Sequence, residues 1–470
     1  MLRLDFVQRT LRTEVIGARP EAFMSVSTDS RTESDRALFF ALTGPTFNGH
    51  DFIAAAMDHG ATGAVIEKGH VERAKVMLGR RLQKFMLVPV ADTLRALGDL
   101  AAAYRRSLAV KIAGVTGSNG KTTSKECIAA ILGTMGSVLK TSGNLNNLIG
   151  LPLTVFKIAE SHKFAVLEMG MNQPGEIGRL SSIALPDVAL ITNVHPAHLE
   201  GLGSVEAIAG EKWQIFEGLR EDGIAVINLD DPSLKARAAG LKLKKLTFGS
   251  SPGCDVRLLE ARSLGLDGQE LLLEISGTRS TARIPHLGRH NALNATAAAA
   301  VGTAFGAGPG QISEGLASVQ IVSRRLEHEL VGGVHVLNDA YNANPKSMEG
   351  ALETLSSMAA GLQTFAVLGD MLEMGPGSAE LHYELGRAVA RLGISFLIVL
   401  GAESTSTVSG AVDAGMDPSA CFKAMDAFDA SWIMRKRARP GGWVLIKGSR
   451  GMRMEVVLEH FRQSFAGGQA

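Results

Sequence analysis

The apolar run Val110–Val115 leads directly into Gly114–Glu126, GVTGSNGKTTSKE, and that junction constrains the fold more than any other stretch of the chain. A buried strand that ends in a glycine-rich turn and continues as a helix gathers backbone N–H groups around a helix N-terminus, where phosphate oxygens bind. Gly117 and Gly120 supply the turn, with Ser118 and Asn119 between them. Lys121 offers an ammonium to the terminal phosphates, Thr122 offers a hydroxyl to Mg2+, and Thr123 follows in the first helical turn. The strict GxxxxGK[ST] spacing is not met, because its first glycine falls at Val115. An ordinary strand-to-helix turn that contains Gly-Lys-Thr is the alternative reading; the strand before it and the helix-forming run after it favour phosphate binding.

Around this junction apolar strands alternate with helix-length segments. Val110–Val115, Phe164–Leu167, Val188–Thr192 and Ile224–Asn228 read as continuous apolar strands, the signature of a parallel sheet covered on both faces. The pattern restarts with Val334–Leu337, Phe365–Leu368, Phe396–Leu400 and Val444–Ile446, a second doubly wound α/β region. Before the loop the pattern is mixed, with short strands at Ala37–Ala41 and Ala64–Glu67 and a helix over Thr93–Arg106. The expected fold is therefore α/β in three domains. A small mixed N-terminal domain covers 1–106, a central P-loop-type doubly wound sheet covers 107–322, and a C-terminal Rossmann-like α/β domain covers 323–470.

A formal net charge of +1 suggests neither a basic nucleic-acid surface nor an acidic tail. Cys127, Cys254 and Cys421 lie far apart and form no metal or redox spacing, so they read as reduced thiols. The N-terminal MLRLDFVQRTLRTEV has no apolar h-region, and the Ala/Gly-rich run Ala295–Gly308 is too short to span a bilayer. A cytoplasmic enzyme with no membrane or nucleic-acid partner is expected.

Further motifs give the chain a specific likeness. They are STDSR (Ser27–Arg31), GNLNNLIGLPLT (Gly143–Thr154), LEMGMNQPGEI (Leu167–Ile177), TNVHPAHLEGLGS (Thr192–Ser204), GRHNALNA (Gly288–Ala295), NDAYNANPKSM (Asn338–Met348), LGDMLEMG (Leu368–Gly375) and KGSR (Lys447–Arg450). In this order, and with the TGxxGKTT form of the loop, they resemble the Mur ligase family, and within it the ligases that join D-alanyl-D-alanine to UDP-N-acetylmuramoyl-tripeptide in peptidoglycan synthesis. The resemblance implies an ATP-dependent amide ligase: ATP phosphorylates the terminal carboxylate of the tripeptide, and the dipeptide amine displaces phosphate from the acyl phosphate.

The same resemblance implies roles for particular residues. Glu168, at a strand end beside the loop, would hold Mg2+, as would Thr122 and His198; His195 is a neighbouring histidine that the motif register passes over. Lys212 would carry a carbamate and act as a further Mg2+ ligand, although the usual Ala-Lys reads Glu211-Lys212 here and a later Glu is Gln214. Asn291 and Asn294 would meet adenine, Asn291 also being a candidate helix N-cap. Arg325 and Asp339 would reach ATP from the C-terminal domain; because the usual Gly-Arg reads Arg324-Arg325, either arginine is a candidate for phosphate. Ser30, Arg31, Asn48, Gly49 and His50 would hold the UDP end of the substrate. Thr141, Asn144 and Asn147 would face the muramoyl-peptide stem, and Tyr341, Asn342, Asn344 and Ser347 the remaining substrate. The chain is expected to act as a monomer.

Two neighbours are separated by sequence. Folylpolyglutamate synthetases share the loop but are not expected to carry an STDSR domain before it. The ligase that adds the third amino acid reads closer to YAHTP where this chain has YNANPKSM, Tyr341–Met348. A nucleotide-driven motor, a different class, would lack both the HNALN segment and the N-terminal domain. Whether the accepted tripeptide ends in meso-diaminopimelate or L-lysine is left open.

Overall fold

The apolar runs become the central strands of three large sheets. The structure is a computed structural model that describes residues 1–196 and 199–466. The N-terminal sheet has five strands in the order Ile16–Gly17, Met86–Val90, Ala61–Glu67, Ala37–Phe40 and Ser25–Ser27. Only the first of them runs antiparallel to its neighbour. The six-stranded C-terminal sheet is ordered Glu327–Val331, Val334–Asp339, Trp443–Lys447, Thr364–Gly369, Phe396–Leu400 and Cys421–Lys423. It too is parallel except at its first strand.

The central sheet has nine strands, seven of them a parallel run from Val138–Lys140 to Val256–Ser263. The four strands expected to be parallel are so, and the sheet continues past them into strands that the apolar pattern does not mark. Val256–Ser263, Gln269–Ile275 and Thr278–Ile284 form an antiparallel meander on its edge. Burial alternates residue by residue along Gln269–Ile275, as it does when one face packs on a core and the other meets water.

Within the parallel run, Lys111–Thr116 lies between Phe164–Glu168 and Val188–Ile191. The chain leaves this strand to one side and returns on the other, so the strand order reverses there. Ligands of open α/β sheets collect at the carboxyl ends of strands at such a reversal, and the glycine-rich loop begins at that end. Apolar clusters on both faces hold the sheet. One packs the loop's helix Lys121–Gly133 and the alanine-rich helix Arg289–Ala304, and the other packs Glu176–Ala184 and Val205–Trp213.

The two flanking units are attached differently. The helix Thr93–Arg106 is capped by Asp92, whose side chain accepts from the Arg95 N–H, and it is fastened to the central unit by arginines. Buried Arg105 donates to the carbonyls of Ala184 (2.9 Å) and Leu108 (3.1 Å) and to the Asp187 carboxylate (3.2 Å). Arg179 donates back to the Arg95 carbonyl and to Asp99. The C-terminal unit meets the central one through Leu287, which joins the C-terminal apolar core, and through polar contacts at the glycine-rich loop.

Candidate active site

Two glycines shape the loop. Gly117 has φ +151°, and a Cβ there would stand 1.8 Å from Thr192 Oγ1. Gly120 has φ +77°, and its Cβ would meet Asn294 Oδ1 at 2.0 Å. The first half of the loop is stitched to Thr192–His195. The Ser118 N–H donates to the Asn193 carbonyl (2.9 Å), and the Ser118 hydroxyl donates to the His195 carbonyl and accepts from its N–H (both 2.9 Å). The Asn119 N–H donates to Asn193 Oδ1 (2.9 Å). The second half opens the helix Lys121–Gly133, whose first N–H groups have no partner within the helix, an arrangement that suits an anion. Lys121 Nζ folds back onto the loop, donating to the carbonyls of Gly117 (2.8 Å) and Ser118 (3.4 Å). Burial pushes its pKa below the usual lysine range; Glu168 opposes that and Arg325 adds to it.

Glu168 ends its strand 2% exposed. One carboxylate oxygen accepts from Asn146 Nδ2 (2.9 Å); the other is buried with no hydrogen-bond partner among the described residues, Lys125 Nζ lying 3.9 Å away. Thr141 is buried beneath it, its hydroxyl accepting from the Glu168 N–H (3.0 Å) and its carbonyl accepting from Lys125 (2.8 Å). Asn144 and Asn147 are exposed, and Asn147 Oδ1 accepts from the N–H groups of Ile149 and Gly150, a local turn. Asn146, which reaches Glu168, and Lys125 were missed by sequence reasoning, though both sit inside quoted motifs.

Lys212 lies in the last turn of Val205–Trp213 and is 2% exposed. Among the described residues its ammonium has no hydrogen-bond or ion-pair partner. Burial pushes its pKa well below the usual lysine range, Lys121 adds to that, and Glu211 opposes it. The Glu211 carboxylate is itself occupied. It accepts from the Gly175 N–H (2.7 Å) and from Gln214 Nε2 (2.9 Å), tying this helix to the loop that follows Glu168. His198 lies outside the described residues.

From the other side, buried Asn294 reaches Gly120 and donates to Asn291 Oδ1 (3.0 Å), while Asn291 Nδ2 donates to the Leu287 carbonyl (2.8 Å). Gly288, not Asn291, is the N-cap of that helix. The adjacent arginines part company. Arg324, in the left-handed region at φ +61°, sends its guanidinium to Glu455 (2.8 Å). Arg325 crosses to the loop and donates to Thr122 Oγ1 (3.0 Å), its guanidinium lying 4.2 Å from the Tyr341 ring centre. Asp339 accepts from Lys447 Nζ (2.5 Å), and Lys447 also donates to the Asn342 carbonyl (3.0 Å); sequence reasoning passed over Lys447 although KGSR was noted. Asn344 and Ser347 form the capping box of helix Pro345–Ala359, and Asn344 reaches Asn119. Thr123 is buried in the first turn of the loop's helix.

The N-terminal candidates sit apart from this cluster in the sequence and in the first sheet's loops. Ser30 is half-buried, and exposed Arg31 pairs with Asp29, whose carboxyl it pulls down to about 2. Gly49 lies so close to Leu42 that a Cβ would stand 2.5 Å from its carbonyl oxygen. His50 is buried against His70, and burial, with that neighbour, holds its pKa at about 4. Its Nε2 accepts from the Glu67 N–H (2.9 Å), leaving Nδ1 to donate to Asn48 Oδ1 (2.7 Å). Both ring nitrogens are thus occupied, so His50, Glu67 and His70 are not arranged to share a metal.

Three family models match in succession: "Mur ligase family, catalytic domain" over residues 23–105, "Mur ligase middle domain" over 115–302, and "Mur ligase, glutamate ligase domain" over 324–450. The chain belongs to the Mur ligase family. Among Mur ligases it is 37% identical to the UDP-N-acetylmuramoyl-tripeptide–D-alanyl-D-alanine ligase of Bacillus subtilis, over 93% of each chain. The crystal structure of MurF from Acinetobacter baumannii superposes with TM-score 0.88 at 29% identity, covering 98% of this chain and 99% of that one. MurF ligase from Thermotoga maritima, solved in complex with ADP, gives TM-score 0.82 at 30% identity, covering 94% of this chain and 98% of that one. The doubly wound units and the glycine-rich loop are therefore those of an ATP-dependent Mur ligase.

Proposed function

We propose that the chain joins D-alanyl-D-alanine to UDP-N-acetylmuramoyl-tripeptide, using ATP and passing through an acyl phosphate, in the cytoplasm and as a monomer. Its near full-length match to a ligase of that name carries the reading. A tripeptide carboxylate oxygen attacks the γ-phosphorus of ATP and ADP leaves. The dipeptide amine then attacks the acyl carbon, loses a proton, and displaces inorganic phosphate. Positioning and charge neutralisation do most of the work in such a transfer.

The N–H groups at Gly120–Thr123 receive phosphate oxygens, with Gly117, Ser118 and Asn119 shaping the loop. Lys121 exchanges its loop carbonyls for the terminal phosphates. Arg325 supplies a second cation from the C-terminal unit, and Asn291 and Asn294 offer amides to adenine. Asp339, held by Lys447, completes the ATP side. The bare Glu168 oxygen fits a divalent cation, and Glu168, Thr122, His198 and a carbamate on Lys212 are the groups that would hold Mg2+. Bound there, Mg2+ would offset the phosphate charge. Ser30, Arg31, Asn48, Gly49 and His50 form the UDP end, Thr141, Asn144 and Asn147 the peptide-stem side, and Tyr341, Asn342, Asn344 and Ser347 the remaining substrate side.

Phosphate release from ATP tests this reading: it requires both the nucleotide-tripeptide and the dipeptide, and release with ATP alone at the full rate contradicts it. The arginine pair gives a sharper expectation. Arg325→Ala lowers turnover by roughly ten- to hundredfold, the usual range for losing one charged contact to a transition state. Arg324→Ala instead removes the closer of two arginines on Glu455, leaving Arg450 at 3.6 Å, and mainly lowers the melting temperature. Kinetics and thermal melting of the two variants check this, and equal kinetic losses would contradict it.

A further inference from the structure

The N-terminal and C-terminal units are joined to the central one by different chemistry, and the C-terminal junction at the loop is narrow. Asn119 Nδ2 donates to Asn344 Oδ1 (3.0 Å) while Asn344 Nδ2 donates to Asn119 Oδ1 (2.7 Å). The two carboxamides therefore face each other as a closed, reciprocal pair between the glycine-rich loop and the start of helix Pro345–Ala359. Neither is free to turn away. Asn344 Oδ1 also accepts from the Ser347 N–H (3.0 Å), the capping bond of that helix, which fixes which end of the amide is the donor. The Asn119 backbone is pinned on both sides: its N–H donates to Asn193 Oδ1 (2.9 Å), and its carbonyl accepts from Thr192 Oγ1 (2.6 Å) and Asn193 Nδ2 (3.1 Å). With both partners already oriented, little side-chain freedom is lost when they meet.

We propose that the Asn119–Asn344 amide pair is an inter-domain latch, a pair of positioning residues that seats the C-terminal unit on the glycine-rich loop for ligation. This rests on the ligase reading above. The neighbouring contacts show what the latch sets in place. Arg325 reaches Thr122 Oγ1 only from a seated C-terminal unit. The same seating brings the Glu373 carbonyl to the Glu200 N–H (3.3 Å). Leu287 packs in one core with the crossover residue Leu326, so apolar contact lies beside the crossover and the amide pair fastens the loop side. Closure of this kind assembles a site from two units and releases it again, which suits a few neutral hydrogen bonds better than a buried ion pair.

A double-mutant cycle on the full chain tests the latch. Asn119→Ala and Asn344→Ser are used, serine being chosen because it still caps the helix. Each single variant should lower kcat/KM for D-alanyl-D-alanine by about tenfold, with thermal melting close to that of the parent. The double variant should lose the same tenfold, because two residues that act through one contact are not additive. Small-angle scattering without substrates should give all three variants a larger radius of gyration than the parent. Asn344→Asp is the second arm: it keeps the cap but sets a carboxylate oxygen against Asn119 Oδ1, and should lose more activity than the serine variant. Multiplying losses in the double variant, or a parental radius of gyration in the singles, would overturn the latch. If the parent itself fails to ligate, the ligase reading fails, and scattering alone still decides the latch.

Discussion

Lys121→Ala abolishes ligation, turnover falling by roughly a thousandfold or more, while the protein still folds. The argument has two halves. The Lys121 ammonium bonds to carbonyls of its own loop and sits among Glu168, Arg325 and Lys212, where phosphate charge would gather. Removing one preorganised charge from a dry site costs about 4 kcal/mol of transition-state stabilisation or more. The loop's shape, in contrast, is kept by bonds that alanine leaves intact: Ser118 and Asn119 to Asn193 and His195, and the close approach of Gly120 to Asn294. Steady-state phosphate release and thermal melting check both halves. Near-parental turnover in a folded variant would contradict the assignment of the loop.

Lys212→Ala comes next in size and should remove most activity, with a short carboxylic acid restoring part of it. A lysine buried to 2% exposure is held toward the neutral amine, first by burial and then by the Lys121 charge. A neutral amine adds to CO2, forming an N–C bond and releasing one proton, and the product is an anion that suits a site otherwise crowded with cations. The fixed Glu211 does not substitute for it, because both its oxygens are engaged with Gly175 and Gln214. Protein equilibrated with 13C-labelled CO2 should show a carbamate carbon signal that the alanine variant lacks. Full activity in the variant, or no such signal in the parent, would contradict the modification.

Much of the fold was legible because local and long-range signals agree. The apolar strands fall where continuous burial demands them, and Thr93–Arg106 begins at an Asp cap and runs to its expected last residue. The antiparallel meander was missed although Gln269–Ile275 alternates, because its neighbours Val256–Ser263 and Thr278–Ile284 carry too many charges to stand out. Site residues were legible to the level of the motif, less often to the atom. Three asparagines crowd Asn144–Asn147, and only the crossing of the chain over the sheet decides that Asn146 meets Glu168. Two left-handed residues, Arg324 and Leu326, flank Arg325 where the adjacent guanidiniums part to different partners, and no local pattern announces it. Lys447 and Asp339 are paired by neighbouring parallel strands that lie far apart in the chain.

The most direct measurement of the ligase reading is mass spectrometry of the products when the terminal carboxylate of the UDP-N-acetylmuramoyl-tripeptide carries 18O. With ATP, Mg2+ and D-alanyl-D-alanine present, the nucleotide product should gain the dipeptide less one water, and the released phosphate should carry one labelled oxygen from the acyl phosphate. A nucleotide of unchanged mass, or phosphate without label, would contradict the account.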